Sequence, residues 1–220
     1  MERSAGPARV ARLDDIEPIA VAGGLFRPIR RTLGVRAFGI NGFTARAAGD
    51  QLIERHDETG PGAGHHEEAY LVISGRATFV VDDDEIDAPA GTIVFVPDIT
   101  TTRSATAAEP DTNVVVVSGP ASRPLPVSPF EYWFVAEAPY RRGDYGRAIE
   151  IVSEGLELWP HQALIHYQLA CYHALAGNTD EALDHLGQAT SADGRTKEWA
   201  GTDHDLDSVR DDPRFARAVE

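Results

Sequence analysis

The sequence predicts a two-part chain, an N-terminal region of short β-strands followed by paired α-helices. Three observations carry this. The apolar pattern has period two as far as about Pro120. A stretch holding Pro120, Pro124, Pro126 and Pro129 then interrupts it. Beyond that stretch the period becomes helical, and the sequence resembles itself at an offset of 34 residues.

The expected strands fall at 25–33, 35–40, 51–55, 70–73, 77–81, 92–96 and 113–117. Gly and Pro punctuate them, at Gly60-Pro61-Gly62, at Ser74-Gly75, at Ala88-Pro89-Ala90-Gly91 and at Glu109-Pro110-Asp111. Many short strands at regular spacing predict a sandwich or a barrel. Asp82-Asp83-Asp84-Glu85 lacks the alternating ligands and central Gly of a calcium loop and reads as a solvated hairpin turn.

In the second region Gly143 pairs with Gly177, Ala136 with Ala170, Ala148 with Ala182, Val152 with Leu186 and Gly155 with Ala189, each 34 residues apart. The small residues let paired helices approach closely. Gly143-Asp144-Tyr145, then Ala148-Ile149, then Pro160, resembles the tetratricopeptide (TPR) repeat family. Two repeats are expected at 129–162 and 163–196, and a degenerate third at 197–220. Repeats in a line usually need three or more units to bury a core, so these helices are expected to lean on the barrel or on a second copy. Phe130, Trp133, Tyr140 and Tyr167 lie on first helices, where the resemblance places either core or a concave peptide groove. Arg141 and Arg142 are weak substitutes for the carboxylate clamp of that family. Cys171, among Leu169, Ala170 and Tyr172, reads as packing.

The chain carries 35 acidic against 20 basic residues, a net charge of −15. Nucleic-acid binding needs clustered basic residues, and an anionic membrane repels such a chain, so neither partner is expected. Lys197 is the single Lys, which reads as compositional bias toward Arg. With one Cys no intrachain disulfide is expected, and no apolar run approaches the ~20 residues of a membrane span. The expected location is the cytoplasm.

Residues 49–97 carry the second resemblance. Glu68, then Gly75, then Arg76-Ala77-Thr78-Phe79, with Ala88-Pro89-Ala90-Gly91 leading into 92–96, resembles a cupin β-barrel (double-stranded β-helix, or jelly roll). The resemblance implies a barrel over 1–119 and a linker over 120–128. Metal-binding cupins hold one ion through His-x-His, a Glu and a later His. Here only the Glu matches. His56-x-Glu58 or His65-His66 stands at the start of the first motif, and Thr102-Arg103 stands where the later His would fall.

Residues at i and i+2 of a strand share a face, so His66 and Glu68 point the same way if the strand has begun by His66. Against the cupin motif, His56, Glu58, His66 and Glu68 are the residues left as candidate ligands for one divalent transition metal, zinc, iron, manganese or nickel. Tyr70, Thr102 and Arg103 are expected to line the mouth of a ligand pocket.

The leading functional expectation is a non-catalytic module. Its barrel binds a small molecule or makes a homodimer, and its repeats bind a protein or peptide. The alternative is a metal-dependent oxygenase or isomerase with a depleted His/Glu site. A third class, a metal-free acid/base enzyme, requires an accessible cavity holding Glu68 with His56 or His66.

Overall fold

The computed structural model describes residues 9–21, 24–60 and 63–220. The chain divides into two compact units, Met1–Pro124 and Leu125–Glu220.

Among the described residues the first unit holds ten strands: β1 (Ile19–Val21), β2 (Gly24–Arg27), β3 (Gly39–Thr44), β4 (Gln51–His56), β5 (His66–Ser74), β6 (Arg76–Val81), β7 (Asp84–Pro89), β8 (Ile93–Val96), β9 (Arg103–Ala107) and β10 (Asn113–Pro120). They form two antiparallel sheets, ordered β1-β2-β3-β10-β5-β8 and β4-β9-β6-β7. From β3 onward the chain changes sheet at every connection except the β6–β7 hairpin, so sequence neighbours face each other across the core. Tyr70, Val72, Val94, Val96 and Val114 of one sheet meet Leu52, Ile53, Ala77, Phe79 and Ala105 of the other, all buried.

Strand alternation decides what faces inward. On β5, Glu68, Tyr70 and Val72 are buried while Leu71 and Ile73 are exposed. On β9, Arg103, Ala105 and Ala107 are buried while Ser104 and Thr106 face out. Between β5 and β6 the chain reverses at Gly75, whose φ is +72° and whose missing side chain leaves room for Thr112.

Some expected strands are corrected. The segment 25–33 is not one strand: β2 ends at Arg27 and a short helix, α1 (Ile29–Leu33), follows. Pro28 lies between them and has no N–H to donate to a ladder. Gly34, in the left-handed region at φ +67°, ends α1. Residues 35–38 carry no strand, and β3 begins only at Gly39. Strands β7 and β9 were not expected, because acidic residues and Ala give them little strand propensity.

The second unit holds α2 (Pro129–Arg141), α3 (Tyr145–Glu154), α4 (Ala163–Leu175), α5 (Thr179–Ala192), α6 (Arg195–Thr202), a 3-10 turn at His204–Val209 and α7 (Pro213–Val219). The 34-residue offset reappears in its caps. Asp144, Asn178 and Asp212 are the N-caps of α3, α5 and α7. Gly143 and Gly177 both adopt positive φ in the turns before them. Alanines 136, 148, 170, 174, 182, 189 and 200 are at most 2% exposed, so backbones approach closely. Gly155 does the same work: a Cβ there would press on Ile165 and Tyr132. The helical unit has its own core around Leu169, Tyr172, Leu186, Leu206 and Phe215.

No described helix is long and apolar enough to cross a membrane.

Candidate functional site

The polar centre of the β unit is built by β4, β5 and β9. Glu68 is 8% exposed and points inward beside Tyr70. His56 reaches the same face through an irregularity. Ile53 pairs with Ala105 and His56 with Arg103, so β4 spends three residues where β9 spends two. That bulge turns His56 inward. Without it Arg55 would face the interior; instead Arg55 reaches outward to the Thr102 hydroxyl at 3.0 Å.

One carboxylate oxygen, Glu68 Oε2, is the hub. The Tyr70 hydroxyl donates to it. His56 Nε2 lies 3.6 Å away and Arg103 Nε 3.3 Å away. Arg103 is fully buried, and its Nη1 donates to the Thr101 carbonyl at 2.8 Å. Its Nε and Nη2 make no hydrogen bond, so its tie to Glu68 is an ion pair. The His56 Nδ1 lies 2.7 Å from the Glu54 carbonyl, which fixes the ring and aims Nε2 at the carboxylates.

These contacts set the protonation states. The Glu68 carboxylate holds the His56 pKa up, against the opposing effect of burial. Burial works to raise the Glu68 carboxyl, yet His56, Tyr70 and Arg103 together hold it below its ordinary value. Burial and the adjacent Glu68 charge push the Tyr70 phenol up.

Glu58 is also 8% exposed. Its Oε1 lies 3.9 Å from His56 Nε2. Its Oε2 accepts from the backbone N–H of Gly64 at 2.9 Å and of His66 at 3.3 Å, so it also ties down the chain entering β5. The His66 ring packs over Gly64, where a Cβ would strike it. His65 is exposed, with φ at +52°.

His56, Glu58 and Glu68 offer ligand atoms that all lie within 4.8 Å of one another, and this group could hold a metal ion. One imidazole nitrogen and two carboxylates suit a divalent transition metal. His66 stands outside the group, with Nδ1 3.9 Å from Glu58 Oε2. A second group, Cys171, Asp203 and Asp205, lies in the helical unit. There burial holds the thiol protonated, and it faces Asp203 at 3.7 Å beside the Tyr167 hydroxyl.

A cavity of about 740 Å³ opens onto the centre of the β unit. His56, His66, Glu68 and Tyr70 line it together. Two expected mouth residues are corrected. Thr102 precedes inward-facing Arg103 and so turns outward, where its backbone N–H and hydroxyl bind Asp82 at 2.8 and 3.1 Å. Arg103 does not line the cavity; it lies fully buried against Glu68. The sequence reading missed Arg30, Arg36, Phe38 and Asn41, which do line it. No local signal in the sequence showed that Arg103 points inward, because its face is set by long-range pairing of β9 with β6.

In the helical unit Tyr167 is buried and Tyr140 half-buried, but Phe130 is exposed. The Tyr140 hydroxyl donates to Asp205 at 3.0 Å, and Arg141 is paired with Glu137 at 2.7 Å. Cys171 is buried.

No family model matches the chain, and no curated protein matches it. Among solved structures, the N-terminal half matches cupin-fold proteins. A cupin protein from Bacteroides fragilis is 17% identical with a TM-score of 0.38, over 52% of this chain and 92% of that one. KdgF from Halomonas sp. is 17% identical with a TM-score of 0.40, over 49% and 90%. A predicted oxalate decarboxylase from Thermotoga maritima is 17% identical with a TM-score of 0.41, over 50% and 97%.

Proposed function

We propose that the β unit is a cupin-type barrel that binds a small molecule in its cavity without turning it over. One observation carries the reading: buried Arg103 supplies a fixed positive charge to Glu68 at the polar floor of the cavity. A carboxylate held ionised by a guanidinium, a phenol and an imidazole is a poor proton acceptor. It is a good fixed acceptor for a ligand's hydroxyl or N–H. The cavity size lies within the range usual for small-molecule sites.

The test is a screen for turnover beside a Glu68→Ala variant. Ligand binding with no turnover is the expected result. Turnover that disappears with Glu68→Ala would overturn it.

A second reading, a metal-dependent enzyme, is favoured by the convergence of His56, Glu58 and Glu68. These three residues would hold the ion, which would polarise a ligand oxygen or acidify a water there. Arg103 opposes this reading, since its charge competes for the Glu68 oxygen. Elemental analysis of untagged protein, purified without chelator, separates the two. A near-stoichiometric transition metal that vanishes in Glu68→Ala selects the enzyme.

The helical unit is proposed as a TPR-like module that binds a protein partner. The 34-residue offset of its caps and the exposed Phe130, Phe134 and Val135 on α2 support this. A Phe130→Ser/Phe134→Ser variant is expected to lose a partner captured by the wild type while keeping its fold.

A further inference from the structure

The rim of the cavity differs in chemistry from its floor. Arg30 and Arg36 both line it. Arg30 lies on α1, and Gly34 turns the chain so that Arg36 follows on the same rim. The Val35 backbone N–H donates to the Arg30 carbonyl at 3.0 Å, and the Arg30 Nε donates to the Val35 carbonyl at 3.3 Å. The two arginines are thereby fastened to one small loop.

Arg30 and Arg36 form no ion pair among the described residues; Arg31, Arg46, Arg55 and Arg142 form none either, but Arg30 and Arg36 are the arginines that line the cavity. Two exposed guanidinium groups on the wall of one cavity, neither neutralised by a carboxylate, leave positive charge there for an anion to meet. A guanidinium fork matches a carboxylate or a phosphate with two parallel hydrogen bonds.

The remainder of the lining asks for something else. Glu54 and Glu68 are acceptors on the cavity wall, and Asn41 and Ser118 are neutral polar groups. An anion without donors would leave those acceptors unanswered. A ligand carrying hydroxyls along its body would satisfy them.

We propose that the cavity takes a hydroxylated small molecule bearing one anionic group, an organic acid or a phosphate ester. Its anion sits between Arg30 and Arg36, and its hydroxyls donate to Glu54 and Glu68. This rests on the reading of the barrel as a small-molecule site.

The experiment is ligand-observed NMR with matched probes on the full chain. Gluconate and glucose 6-phosphate are the anions, and glucose is the neutral counterpart. Both arginines are exposed, so an Arg30→Gln/Arg36→Gln variant is expected to fold, with circular dichroism as the check. The expected result is binding of at least one anion, weakened about tenfold or more in the variant. Preference between gluconate and glucose 6-phosphate then separates the carboxylate from the phosphate source. Binding of glucose as tight as that of the anions, or unchanged anion binding by the variant, overturns the anion assignment and leaves the small-molecule site standing. Failure of all three probes overturns both.

Discussion

Acid should weaken the helical unit through its half-buried histidines, His185 above all, with His173 also held down by burial. His185 on α5 lies against His166 and His173 of α4, with ring centroids 5.2 and 5.5 Å away. His166 Nε2 lies 2.9 Å from the Pro160 carbonyl, so that nitrogen carries the hydrogen. His166 Nδ1 is then an acceptor, and His185 Nδ1, 2.9 Å away, donates to it. Burial and the two neighbouring imidazoles push His185 down to about 4 from 6.5, against Glu181 and Asp184 on its own helix. The unfolded chain therefore takes up this proton first. Stability is full above about pH 6.5 and falls as pH drops toward about 4, by about 1.4 kcal/mol per pH unit. Between pH 7 and pH 5 the loss is about 1–2 kcal/mol, the lower figure allowing for solvent screening of a half-buried ring.

The assay is urea unfolding followed by tryptophan fluorescence. Trp133, Trp159 and Trp199 are the tryptophans of the chain, and all lie in the helical unit. A loss of about 1–2 kcal/mol moves the midpoint by about 0.5–2 M urea. His185→Gln keeps an amide donor but cannot titrate, so its midpoint should move less over the same range, with His173 supplying the remainder. Equal shifts in wild type and variant would refute the argument.

Further outcomes follow from single groups. The Tyr172 hydroxyl is buried without a hydrogen-bond partner, so Tyr172→Phe is expected to stabilise the helical unit by about 1 kcal/mol in the same assay. Arg103→Gln frees Glu68 from a fixed cation, so zinc affinity measured by calorimetry is expected to rise about tenfold or more; unchanged affinity would show that Arg103 does not oppose a metal. Gly75→Ala meets both the positive φ and Thr112, and is expected to cost about 2 kcal/mol or more in thermal unfolding. Val72, fully buried between the sheets, is expected to cost about 2–4 kcal/mol when cut to Ala.

Much of the site was legible in sequence, and the reasons for the misses are local. Glu68 and Tyr70 sit on a strand whose alternation is regular, so their inward direction could be read directly. The direction of His56 could not, because a bulge in β4 resets the alternation and depends on pairing with β9. Thr102 and Arg103 were both expected at the mouth. Adjacent strand residues face opposite ways, and the pairing that decides between them is long-range. Arg30 and Arg36 escaped notice because a strand was expected where Pro28 and Gly34 frame a helix. In the helical unit the 34-residue pairing of Gly143 with Gly177 was legible because a turn glycine depends on near neighbours alone.

The seven alanines at most 2% exposed bear on how this chain can change over generations. At such positions any larger side chain must push two backbones apart, so drift is closed there. Substitution is left to the outward faces, where Phe130, Phe134 and Val135 already stand exposed. A helical unit built this way can exchange its surface chemistry freely while its interior spacing stays inherited.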